Sequence, residues 1–309
     1  MIYRPFGNTG ITASAVGLGT WNLGNHWGKI DDATAFATIH SALDHGVNLI
    51  DTAEVYGIPH GLSEERVGRA LSGIRHNYTI VSKVGRWGAN GTQLVPMTTT
   101  DMFVMCCHAS LYRLRTDYID VYLCHIADLS DSETDVYLEG LEELKRRGLI
   151  RAYGISTNSL ESLKRFNKHS TCQALEVEYS LVDRSAEDGI LDYAGENNMG
   201  VLIRGPLAKG VLSGKYDRSS VFDDSVRASW NNGENGRRNY MWRMDRLDKV
   251  LGMLPRESLA ETAIRFTASH ACAPVSIPGA KSPEQAAQNA KVGEILFTKE
   301  ELARFDAIK

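Results

Sequence analysis

Eight times along this 309-residue chain, a short apolar run closed by a polar residue or glycine is followed by a longer segment of helical periodicity. The apolar runs fall at 14–20, 47–53, 78–84, 118–125, 151–157, 172–180, 200–206 and 273–279. They lack strict polar alternation, as expected of parallel strands buried on both faces. The helical segments are expected at 31–45, 63–71, 98–114, 135–147, 160–168, 186–197, 258–270 and 282–291. The first carries an acidic cap, and the fourth ends in basic residues before Gly148, which complements the helix dipole. Ahead of them, Asn8-Thr9-Gly10 sits between strand-like residues and predicts a hairpin. Length alone allows two domains, but eight β-then-α units in about 300 residues are what a closed barrel needs. The expectation is one α/β domain over residues 1–309, a (β/α)8 TIM barrel with an N-terminal hairpin. Residues 208–255 exceed a simple βα loop and predict a lid or ordered insertion above the barrel mouth after the seventh strand.

Charge and cysteine usage remove several classes of function. A net charge of −4 without a basic run argues against a nucleic-acid binder. No segment has signal-peptide or membrane-spanning length and apolarity. The five cysteines, at 106, 107, 124, 172 and 272, form no C-x-x-C pair, fitting neither a disulfide framework nor a zinc site. A reduced, cytoplasmic setting is expected. No cluster of His and carboxylates has metal-ligand spacing, which speaks against a metal-dependent barrel enzyme.

In such barrels the chemistry lies at the C-terminal strand ends. LIDTAEVYG places Asp51 at the end of the second strand and Tyr56 in its loop. Lys83 ends the third strand and His125 the fourth. Each alone reads as a solvated terminus or a structural residue; together they put four titratable groups on three neighbouring mouths.

The segments LIDTAEVYG, IVSKVG and IDVYLCHIAD resemble three signatures of the aldo-keto reductases. GLGTW, GIS, EYSLVDR, GPLAKGVLSGK and IPGAKSPEQAAQN match further family segments in order, so the resemblance covers essentially the whole chain. It implies a (β/α)8 barrel holding NADPH in extended form, and a catalytic tetrad of Asp51, Tyr56, Lys83 and His125. The physics of carbonyl reduction suits these roles. A free phenol, with a pKa of about 10, is a poor acid near neutrality, and an adjacent ammonium lowers that value. Lys83 would supply the ammonium, Asp51 would keep it charged, and His125 would polarise the carbonyl oxygen.

GLGTWNLG lacks the G-x-G-x-x-G spacing, and GVLSGKY lacks that of a P-loop, so neither nucleotide motif is present. The resemblance instead implies a cofactor lying over Gly19, Thr20 and Trp21 and along Gly205, Pro206, Leu207, Gly210, Leu212, Gly214 and Lys215. Its 2′-phosphate and adenine would lie at Gly279, Lys281, Gln285, Gln288 and Asn289, where a helix N-terminus and a lysine favour a dianion. NADP(H) is therefore expected, with NAD(H) as the alternative. Ser156 remains as a carboxamide partner, but three positions depart from the family pattern: Thr157, Glu176 and Arg204 replace the usual Asn, Gln and stacking aromatic. Glu176 is expected to neutralise Arg204 and to accept from the carboxamide. Trp21 and Trp87 are expected to wall a substrate pocket beside Tyr56 and His125, with the insertion, including Arg227, Trp230, Arg237, Arg238 and Tyr240, shaping selectivity. The substrate is expected to be a small aldehyde, ketone or sugar, and the direction of catalysis is left open. The competing reading is an NADPH-binding regulatory subunit of a membrane complex, with little turnover.

Overall fold

A computed structural model describes residues 1–87 and 94–308. The N-terminal hairpin pairs β1 (Tyr3–Pro5) with β2 (Thr12–Ser14), turning through Gly7 and Gly10. The barrel strands follow: β3 (Leu18–Gly19), β4 (Leu49–Asp51), β5 (Thr79–Val84), β6 (Ile119–Cys124), β7 (Ile150–Ser156), β8 (Ala174–Glu178), β9 (Gly200–Arg204) and β10 (Val275–Ser276). All neighbours are parallel, in sequence order from β3 to β10. The seam between first and last strands is closed by parallel bridges, Val16 with Ser276 and Gly19 with Gly279. The fold is a (β/α)8 barrel. A side chain at Gly19 would lie 2.7 Å from the Ile277 carbonyl oxygen, so the seam needs glycine there, while one at Gly279 would run into the Asn22 side chain.

Helices α1 (Asp32–Asp44), α2 (Leu62–Ala70), α3 (Thr100–Leu114), α4 (Asp131–Arg146), α5 (Leu160–Phe166) and α6 (Ile190–Glu196) return between successive strands. In the insertion runs α7 (Glu234–Leu251), followed by α8 (Leu259–Ala268), α9 (Pro283–Lys291) and α10 (Lys299–Ala303). Local chemistry explains several starts. Asp31 accepts from the Thr34 N–H, Ser282 caps α9 just before Pro283, and Ser130 with Glu133 forms a capping box. That box starts α4 four residues earlier than the expected 135. The expected helix over 186–197 divides into a 3-10 turn, Ser185–Glu187, and α6, because Gly189 takes a left-handed conformation between them.

Two apolar layers follow from the strand alternation. Leu49, Val81, Val121, Leu123, Ala152, Ala174, Leu202 and Val275 point inward and pack on Phe6. The hairpin residue Phe6 closes the N-terminal end, its ring lying where any Gly200 side chain would be. Ile50, Ile80, Tyr122, Tyr153, Leu175 and Ile203 point outward beneath the helices. Insertion residues Phe222, Trp230 and Tyr240 pack ring on ring, with centroids 5.1–5.4 Å apart. The insertion is thus an ordered aromatic unit, as expected, although the 18-residue helix in it was not.

Candidate active site

Steps of two along the inward rows carry each strand from apolar to polar. Leu49 leads to Asp51, Val81 to Lys83, Leu123 to His125, Ala152 to Ser156, Ala174 to Glu176, and Leu202 to Arg204. With the hairpin sealing the other end, all the inward polar groups collect at the C-terminal mouth.

Lys83, with none of its side chain exposed, is the centre of the cluster. Its Nζ donates to Asp51 Oδ1 at 2.5 Å and to the Thr52 carbonyl at 2.9 Å. Glu176 Oε2 lies 3.2 Å away. That contact is within ion-pair distance, and the Glu176 carboxyl also interacts with that of Asp51. Glu176 Oε1 accepts from Ser156 Oγ at 3.1 Å. Thr20 fixes the backbone beneath: its N–H and hydroxyl both donate to the Asp51 carbonyl, at 2.9 and 2.8 Å.

Tyr56 lies over Lys83, its ring centroid 4.9 Å from Nζ. It is edge-on to His125 at 5.9 Å and stacked under Trp21 at 5.8 Å. Trp27 meets Trp21 edge-on at 5.2 Å, so Trp21, Trp27, Tyr56 and His125 wall one side of the mouth.

The electrostatics follow from two carboxylates competing for one buried ammonium. Asp51 is pushed well above the usual carboxylate range, first by burial and then by the charge of Glu176, with Lys83 opposing. Burial works against the charge on Lys83, but Asp51, Glu176 and Tyr56 outweigh it and hold the amine protonated. The Tyr56 phenol is raised, chiefly by burial; Lys83 pulls it down while Asp51 and Glu176 push it up. His125 is held well below its ordinary value by burial and then by Lys83, Arg86 and Arg204, so its imidazole is neutral at pH 7. Its Nδ1 is buried without a partner.

Arg204 does not meet Glu176. Register sets Arg204 beside Glu178 on β8, whereas Glu176 lies beside Ser156 and Leu202. Arg204 therefore pairs with Glu178 at 2.9 Å and with Asn158 Oδ1 at 2.9 Å, and Arg243 of α7 reaches the same Glu178 at 3.3 Å. Neither partner was expected at Arg204, although Glu178 lies one i+2 step beyond Glu176 on the same row. Thr157 is committed to the Ala127 carbonyl at 2.9 Å.

Glu54, which is 3% exposed, was not expected either. Glu54 Oε1 accepts from the backbone N–H groups of Gly85 (2.8 Å) and Arg86 (2.7 Å), tying the Tyr56 loop to the strand end after Lys83. Burial raises this carboxyl to about 7.

Among the other expected residues, Pro206 and Leu212 are buried, Leu207 and Gly214 half-buried, and Lys215 exposed. Gly205 (φ 65°) and Gly210 (φ 95°) adopt left-handed conformations; a side chain at Gly210 would lie 3.1 Å from Arg227 Nη1. Lys281 donates from Nζ to the Trp27 carbonyl and from its N–H to Gln285 Oε1 (2.9 Å). Burial and then the Arg227 charge lower its pKa. Asn289 Nδ2 donates to the Gly279 carbonyl at 3.3 Å, and Gln288 is exposed. Trp87 is 38% exposed. Among the described residues, no group of three or more His, Cys, Asp or Glu is arranged to hold a metal, and no helix is long and apolar enough to cross a membrane. The five cysteines are free.

Comparison with known proteins matches residues 15–309 to the Aldo/keto reductase family. Aldo-keto reductase YhdN of Bacillus subtilis is 35% identical over 293 residues, covering 92% of this chain and 86% of that protein. The holo form of aldo-keto reductase AKR11C1 from Bacillus halodurans superposes with a TM-score of 0.82 at 29% identity, covering 100% of this chain and 96% of that one. An aldo/keto reductase from Klebsiella pneumoniae, solved with NADP and acetate, gives a TM-score of 0.70 at 28% identity, with 97% and 93% covered. A probable voltage-gated potassium channel subunit beta of Oryza sativa is 29% identical, with 100% and 96% covered.

Proposed function

The chain belongs to the aldo/keto reductase family, and we propose that it is an NADP-dependent oxidoreductase acting on a small aldehyde, ketone or sugar, with Tyr56 as general acid and base. One observation carries the reading: a fully buried Lys83, 2.5 Å from Asp51, lies directly beneath the Tyr56 phenol at the open end of the barrel.

The residues fit a nicotinamide dinucleotide. His125 Nδ1 and Trp27 Nε1 are buried polar atoms without partners. Lys281 lies near Arg227, which is paired with Asp224 at 2.7 Å, and a bound phosphate would add a further partner for the lysine. Ser156 and Glu176 would take the carboxamide, the backbone from Gly205 to Lys215 the pyrophosphate, and Lys281, Gln285 and Asn289 the 2′-phosphate and adenine. The planar guanidinium of Arg204, held by Glu178 and Asn158, would stack where the family has an aromatic ring.

When bound, the reduced nicotinamide supplies a hydrogen with its electron pair to the carbonyl carbon. The chain does the rest. A neutral His125 donates to the carbonyl oxygen and polarises it. Tyr56 gives that oxygen its proton and is reprotonated from solvent; Lys83 stabilises the phenolate left behind, with Asp51 holding the amine in place. Trp21 and the rings beside it exclude water.

The cluster favours this reading over a cofactor-binding subunit with little turnover, although some relatives are named as channel subunits. The same reading places the chain in one barrel domain over 1–309 and in a reducing, cytoplasmic compartment. NADPH oxidation measured spectrophotometrically against aldehydes, ketones and sugars tests it. Turnover with at least one class supports it; tight NADPH binding with none supports the subunit reading.

A further inference from the structure

Glu176 reaches Lys83 from the far side of the barrel: Asp51 and Lys83 come from β4 and β5, Glu176 from β8. It is 1% exposed, 3.2 Å from Lys83 Nζ, and anchored by the Ser156 hydroxyl. The ammonium thus faces two carboxyl groups, one on each side, where a single Asp–Lys pair would have one. We propose that Glu176 is a charge-setting and positioning residue of the reaction, a second counter-charge to Lys83 that keeps the Tyr56 cluster loaded with its proton and biases the site toward carbonyl reduction. The inference rests on the oxidoreductase reading above.

The charged and titratable groups facing this centre are Asp51 from β4, Lys83 from β5, Tyr56 from the loop after β4, and His125 after β6. Arg86 and Arg204 act from the rim. His125 is neutral at pH 7, so Lys83 is the innermost positive charge, with the Asp51 and Glu176 carboxyl groups on either side of it. A negative group beside the phenol opposes its ionisation, and both carboxylates push Tyr56 upward. In reduction the carbonyl gains two electrons and a hydrogen at carbon while Tyr56 releases one proton to oxygen. That direction needs the phenol protonated; alcohol oxidation needs the phenolate. Because the groups titrate together, the measurable quantity is one macroscopic alkaline limb belonging to the cluster.

Glu176→Gln keeps the shape and removes the charge. It should move the alkaline limb of reduction down by about one pH unit. Glu176→Asp, which keeps the charge, should leave the limb within a few tenths of a unit of wild type. A residue that only packs would change turnover in both variants and the limb in neither. The phenol is also read without turnover, by ultraviolet difference titration of the protein against its Tyr56→Phe variant, with and without Glu176→Gln. A downward-shifted phenol titration in Glu176→Gln supports the charge-setting role, whereas failure of the unaltered protein to reduce any carbonyl would refute the oxidoreductase reading and, with it, the role in reduction. An unmoved limb and an unmoved titration overturn it.

Discussion

Asp51 Oδ1 and Lys83 Nζ stand 2.5 Å apart with almost none of either side chain exposed. A group this deep depends on its partners, and removing Lys83 would leave Asp51 and Glu176 buried without a cation. Lys83 places a positive charge 4.9 Å from the Tyr56 ring centroid, where it opposes the burial that raises the phenol.

Removing the amine should therefore damage stability and activity together. In Lys83→Met, Asp51 and Glu176 face each other without a cation. Unfolding free energy at pH 7 should fall by about 3–5 kcal/mol, and carbonyl turnover should disappear. Thermal unfolding and NADPH oxidation check this; a variant as stable and active as wild type would show that the pair is incidental.

Glu54 gives a pH signature. Its folded-state value of about 7 lies above that of an unfolded glutamate, so the folded protein binds this proton more tightly. The group's contribution to stability is therefore fully present below the unfolded value, and is lost as pH rises through about 7. Glu54→Gln keeps an acceptor for the Gly85 and Arg86 N–H groups and abolishes the titration. It should match wild type near pH 5 and exceed it above pH 8 by on the order of 2–3 kcal/mol. Denaturant unfolding at the two pH values decides.

Lys281→Ala should weaken NADPH binding about 10–100-fold, the range for losing a charge-assisted contact. NADH binding should hardly change. Fluorescence titration with both cofactors measures this, and equal losses would remove Lys281 from 2′-phosphate recognition.

Arg204→Tyr should retain carbonyl turnover and shift the balance of cofactor binding. A guanidinium stacks less well on the cationic oxidised ring than on the neutral reduced one. The variant should therefore tighten NADP+ relative to NADPH, by no more than about tenfold given a contact worth ~1 kcal/mol. Unchanged affinities for both forms would place Arg204 off the ring.

The barrel was legible because parallel strands buried on both faces leave short apolar runs, and the chain repeats them eight times. The mouth was legible at Asp51, Lys83 and His125, because each ends an apolar run on a titratable group. What escaped depends on partners far apart in sequence. Glu176 reads as one departure from a pattern until the barrel closes and brings β8 opposite β5. Glu54 reads as a loop carboxylate until two backbone N–H groups bury it. Helix α7 escaped because Arg243 is buried on the inner face with Tyr240, Met244, Leu247 and Val250, so a charge interrupts the apolar stripe. The α4 capping box at Ser130 and Glu133 was present in the sequence, and the expected start at 135 overlooked it.

The account stands most directly on the phenol. Tyr56→Phe removes one oxygen and leaves the ring between Trp21 and His125. NADPH-dependent turnover of a carbonyl that the wild type reduces should fall by at least about 10²-fold, the lower range for losing a general acid, while NADPH affinity stays within about twofold. Turnover equal to wild type in that variant would contradict the account.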